Sequence, residues 1–126
     1  MTVRRTERAA AAVEFALVAP VLIALILGII EFGFLIFLNS AAAGAAREGA
    51  RAAAISGQVA DAVTVAKSAY MATTSRTGSA TVSPAGPACI PGEAVVVTVT
   101  ENYGSLTKFF GSSFTATGRG EMRCGG

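Results

Sequence analysis

Residues 15–38 run Phe-Ala-Leu-Val-Ala-Pro-Val-Leu-Ile-Ala-Leu-Ile-Leu-Gly-Ile-Ile-Glu-Phe-Gly-Phe-Leu-Ile-Phe-Leu, and this run limits what the remainder can become. As a helix it measures about 36 Å, enough to cross a hydrocarbon layer of about 30 Å with some tilt. It is too long and too apolar for a core helix in a chain of 126 residues. The run nevertheless contains Glu31, and Glu14 stands just ahead of it. Its Val, Leu, Ile and Phe side chains each favour insertion by about 0.3–0.6 kcal/mol, against about 2.5–3.5 kcal/mol for one central acid. The apolar sum wins, and a lipid bilayer is the first partner the sequence implies.

The two acids are separated by about 25 Å of helical rise. Centring the span between them brings each carboxylate near an interface but leaves residues 32–38 as an apolar collar outside. Centring the apolar run instead sinks Glu31 into lipid. Either way a group is left unsatisfied in the lone helix, so Glu31 calls for a protein partner within the membrane. Gly28 and Gly33 remove bulk beside it and suit close approach of another helix. Pro20 breaks one backbone bond early in the span.

Around this run the chain divides into a basic leader, residues 1–9; a transmembrane and extended helix, residues 10–56; and a small domain, residues 57–126. Arg4, Arg5 and Arg8 precede the span, which predicts a cytoplasmic N-terminus and an exported C-terminal part in a single-pass topology. Beyond Leu38 the composition turns to alanine, which favours continued helix. From Ala9 such a helix reaches about 70 Å. Small residues recur at Ala41, Ala45, Gly49 and Ala53, a face suited to tight helix packing. Ser56 and Gly57 supply the stop.

The remaining residues suffice for one small domain. Val59, Val63, Ala66 and Tyr70 fall at helical spacing and predict a second helix over 58–73. Strands are expected at 80–83, at 93–103 with Val95, Val97 and Val99 on one face, and at 114–122. A loop with three prolines and the apolar connector 106–110 join them. The fold class is therefore α+β: a long N-terminal transmembrane helix extending out of the membrane, then a small extracytoplasmic domain with a second helix and a short antiparallel sheet. Cys89 and Cys124 both lie beyond the span and are most simply one disulfide, worth about 3.5–4 kcal/mol by loop entropy.

Several chemistries are disfavoured. The net charge is +2 with no basic stripe, which argues against nucleic acid. No histidine is present, which removes His-based catalysis and most zinc sites. Ser105-Leu-Thr-Lys108 has the S-x-x-K spacing of a serine nucleophile, but its companion motifs are missing, so a loop is expected. Gly118-Arg-Gly120 precedes no helix and is not a phosphate loop. The chain is expected to be no enzyme and to use no cofactor or metal.

A short basic leader followed by Ala9-Ala-Ala-Ala-Val-Glu14-Phe15 resembles the processing region of type IV pilins and pseudopilins. That resemblance implies cleavage by a prepilin peptidase between Ala9 and Ala10, with Ala9 standing where glycine is usual. It makes Glu14, followed by Phe15, the fifth-position glutamate that sets register between subunits. Three motifs in order resemble the TadE-like family of tight-adherence (Tad) pilus systems: residues 10–20, then Gly28-Ile-Ile-Glu-Phe-Gly33, then Ala45-Ala-Arg-Glu-Gly-Ala-Arg51. The resemblance implies a minor pilin or pseudopilin that helps assemble a Tad-type, type IVb-like adhesion and secretion pilus. Other pilin-like subunits and Tad assembly proteins would be its partners, in the bacterial cytoplasmic membrane or the surface pilus. Two alternatives stand beside it: a membrane-anchored binding module outside any filament, and a soluble protein secreted after signal-peptide cleavage.

Overall fold

The computed structural model describes residues 3–83, 86 and 88–125, with side chains from Thr6 onward. The side chains of Arg4 and Arg5, and Pro84 and Pro87 of the proline loop, lie outside the described residues. Helix α1, Val3–Ser56, runs unbroken through Pro20. It begins earlier than expected because Arg4, Arg5, Glu7 and Arg8 are good helix formers with no breaker among them. It ends where Gly57 adopts φ +74° and donates its N–H to Ala53 O at 2.9 Å. That left-handed turn costs glycine nothing.

Helix α2, Val59–Thr74, folds back along α1 and closes on Ser75, whose left-handed backbone lets its N–H reach Met71 O. Strands β1, Ser79–Ser83, β2, Ala94–Gly104, and β3, Ser113–Arg123, form an antiparallel sheet in the order β1-β2-β3. The register sets Val97 opposite Val82 and Gly120, and Val99 opposite Ala80 and Gly118. Alternation then turns Val95, Val97 and Val99 inward, as the sequence pattern predicts, and the intervening residues outward.

The core lies between this sheet and both helices. Ala42, Ala45, Ala46, Ala50 and Ala53 of α1 meet Ala62, Ala66 and Tyr70 of α2 and the β2 valines. Leu38, Tyr103 and Ala116 form a second cluster nearer the apolar run, with Phe34, Leu35 and Phe114 packed around it. Helix α2 and the sheet thus share their core with the second half of α1.

Small residues explain how residues 39–56 of α1, so poor in large side chains, are held there. A Cβ on Gly118 would collide with the backbone of Ala42 and Ala43, and one on Gly120 with Ala46 and Arg47. On the other side, a Cβ on Gly49 would come within 2.5 Å of Ala62 O. Asn39 Oδ1 accepts the Thr117 N–H at 2.8 Å and fixes α1 axially on β3. At the far end Cys89 and Cys124 are disulfide-bonded, with Cα atoms 5.6 Å apart. Cys89 N–H also donates to Gly57 O at 2.8 Å, so the bridge ties the sheet to the α1–α2 turn as well.

Candidate functional site

The first half of α1 is bare. From Thr6 to Ile30 almost every side chain is open, with Phe15 74% and Leu17 72% exposed. This helix is long and apolar enough to cross a membrane. Ala9, Ala10 and Glu14 all lie on exposed helix here. The Glu14 side chain makes no hydrogen bond or ion pair among the described residues. An isolated carboxylate on an apolar rod is stable only at an interface or beside a positive partner, since low dielectric penalises a lone charge.

Glu31 is treated in the opposite way. It is 1% exposed, buried beneath the β2–β3 loop. Leu106 N–H donates to Oε1 at 3.1 Å, while Thr107 donates its N–H and its hydroxyl to Oε2, each at 2.9 Å. Both carboxylate oxygens are therefore satisfied by charge-assisted bonds, which are stronger than neutral ones. The loop has its own internal brace that holds these donors in place. Lys108 N–H donates to Ser105 Oγ at 2.8 Å, and Lys108 takes φ +56°. The S-x-x-K spacing thus describes a turn whose serine hydroxyl accepts a backbone hydrogen.

The partner found for Glu31 is consequently the chain's own loop rather than a second helix. Gly28, expected to admit a neighbouring helix, receives the Phe110 ring instead, with the Cβ position 3.4 Å from Phe110 Cζ. Gly33 faces open space. The apolar collar, residues 32–38, is covered on one side only: Leu38 is buried and Phe34 stacks edge-on against Tyr103 at 5.4 Å, but Ile36 is 65% exposed.

Ala45, Gly49 and Ala53 are buried within the chain, Gly49 directly against α2. The buried stripe of α1 advances by seven, four, three, four and four residues, through Glu31, Leu38, Ala42, Ala45, Gly49 and Ala53. That spacing, rather than a strict four, keeps one helix face on one neighbour. Ala41 falls to the edge of the stripe and is only partly buried.

A polar latch closes the α2 end of the domain. Tyr70 OH donates to Glu101 Oε2, and Arg76 Nε donates to Glu101 Oε1 at 2.6 Å. The Arg76 guanidinium also lies 6.0 Å from the centre of the Tyr103 ring. Burial, and then the Glu101 carboxylate that takes its hydrogen bond, push the Tyr70 phenol well above its ordinary range. The latch is an internal brace between α2, the turn after it and β2. Among the described residues no group of three Asp, Glu or Cys gathers as metal ligands.

Sequence reasoning missed the Glu31 loop and the Asn39 clasp. A signal for the first was present: Leu106, Phe109 and Phe110 are unusually apolar for a connection between two strands.

Comparison with known proteins bears on the helix. No curated protein and no solved structure matches the chain. The model of the TadE-like protein family matches residues 9–51. That interval takes in the bare apolar half, both carboxylates and most of the small-residue stripe, and holds all three motifs on which the resemblance was read. Over residues 9–51 the N-terminal helix is similar to that of TadE-like proteins.

Proposed function

We propose that the chain is a minor pilin or pseudopilin that takes part in assembling a Tad-type adhesion and secretion pilus. Its role in this reading is structural rather than enzymatic. The protein sits in the bacterial cytoplasmic membrane with its N-terminus inside and its compact domain outside. The TadE-like match over residues 9–51 carries the proposal. The bare helix supports it, because a rod with an unpaired Glu14 is suited to bundling with others of its kind.

The mechanism follows from charge. Cleavage between Ala9 and Ala10 would create an α-amino group one helical turn from Glu14. In a staggered bundle that amine on one subunit can neutralise Glu14 on the next, with Phe15 packed beside the pair. Unpaired charges in low dielectric are costly, so the contact sets axial register. Loss of one partner is then worse than loss of both.

Mass spectrometry of the mature N-terminus tests the reading: a start at Ala10 is expected. An intact Met1 would instead favour a membrane-anchored binding module, with the lipid bilayer as its only obligate partner. A start near Gly44 would favour a secreted factor, although that cut would strip Leu38 and Ala42 from the core. In a strain making the pilus, Glu14→Gln should leave membrane insertion intact and reduce incorporation. Normal filaments from that variant would sink the register mechanism.

A further inference from the structure

We propose that residues 106–110 form a lipid-facing foot whose apolar side chains enter the extracytoplasmic leaflet of the bilayer that α1 crosses. The inference rests on the spanning reading of α1 and adds a second point of membrane contact, made by the domain itself.

Axial position is the first argument. Residues 10–30 of α1 measure about 31 Å, the thickness of a hydrocarbon core, so the span ends at the level of Glu31. The loop is held at that same level by its bonds to Glu31 and by Phe110, whose ring packs on Gly28 and stands 5.8 Å from that of Phe32. The loop therefore lies where hydrocarbon gives way to headgroups.

Composition is the second. Leu106 is 55% exposed, Phe109 64% and Phe110 41%, three large apolar side chains within five residues of a surface turn. The two phenylalanine rings meet edge to face at 5.2 Å and form one wedge. Between them and Thr107 stands exposed Lys108, which makes no ion pair among the described residues. Aromatic rings with a neighbouring cation suit the interface, where rings meet acyl chains and an ammonium reaches phosphate. That combination favours lipid over a protein neighbour.

The third is an open groove of about 480 Å³ against the span, lined by Ala24, Leu25, Gly28, Ile29, Phe32 and Phe110. Every lining residue is apolar, and the groove is oriented along a helix already in lipid. An acyl chain fits it, leaving no polar group to satisfy.

The chain contains no tryptophan, so single indoles report without background. The full chain is reconstituted in phosphatidylcholine/phosphatidylglycerol vesicles as Phe109→Trp, Leu22→Trp or Ile90→Trp, and quenched by dibrominated acyl chains or by aqueous iodide. Phe109→Trp should show blue-shifted emission and lose most of its intensity to brominated lipid, as Leu22→Trp does in the span. Ile90→Trp, beside the disulfide, should stay red and iodide-sensitive. Lipid quenching of Leu22→Trp with iodide quenching of Phe109→Trp would overturn the foot and leave the span standing. Shielding of Phe109→Trp from both quenchers would also overturn it, in favour of a protein neighbour. Iodide quenching of Leu22→Trp would remove the spanning premise itself.

Discussion

Tyr103 carries a buried hydroxyl with no hydrogen-bond partner among the described residues, while its ring packs between Phe34 and Phe114. The ring is useful and the oxygen is a burden, because a buried unpaired hydroxyl loses its bonds to water and gains none. Tyr103→Phe should therefore leave thermal stability unchanged or raise it by about 1 kcal/mol. A clear fall in melting temperature would mean that the hydroxyl is engaged. Tyr70 is the contrast, since its hydroxyl is spent on Glu101. The two glutamates of α1 divide in the same manner: Glu31 is saturated inside the chain and Glu14 is left to its surroundings. One helix thus presents one carboxylate bonded within the chain and another exposed on bare helix.

At the scale of elements, the seam between α1 and β3 is built on absent side chains. Gly118→Ala places a methyl in the backbone of Ala42 and should cost about 1–3 kcal/mol or more through forced separation. Gly104→Ala, on β2 with its nearest neighbour 4.0 Å from the Cβ position, should be nearly neutral. Chemical denaturation of the two variants makes the comparison, and equal stability would mean that the seam opens without cost. Much of this architecture is legible in the sequence. The apolar run, the β-branched residues of β2, the helical spacing from Val59 to Tyr70 and the cysteine pair each reflect a local rule. The glycines of β3 are legible only as an alternating face; what presses against them is not, because residues 42 and 118 are joined by tertiary packing alone. The same holds for Glu31. Sequence shows that its charge needs an answer, whereas two of the three bonds that answer it come from backbone amides at Leu106 and Thr107, which any residue type except proline can offer.

At the scale of the molecule, the domain is fastened to its helix at both ends. Near the span the fastening is Glu31 with the β2–β3 loop, and at the far tip it is the Cys89–Cys124 bridge beside Gly57. Reduction of that bridge should lower stability by about 3.5–4 kcal/mol, since it closes a loop of 35 residues. A thermal scan with and without reductant checks it, and coincident transitions would show that the helix–sheet seam suffices alone. The length of the seam has a mechanical consequence. Because α1 lies in the sheet's own core from Leu38 to Ala53, it has no swivel between anchor and head. A torque applied to the bare half of the helix would be passed directly to the sheet packed on its other half. The molecule is geared as a shaft keyed to its hub, so in the proposed bundle the angular setting of neighbouring shafts would also set the azimuth of every head.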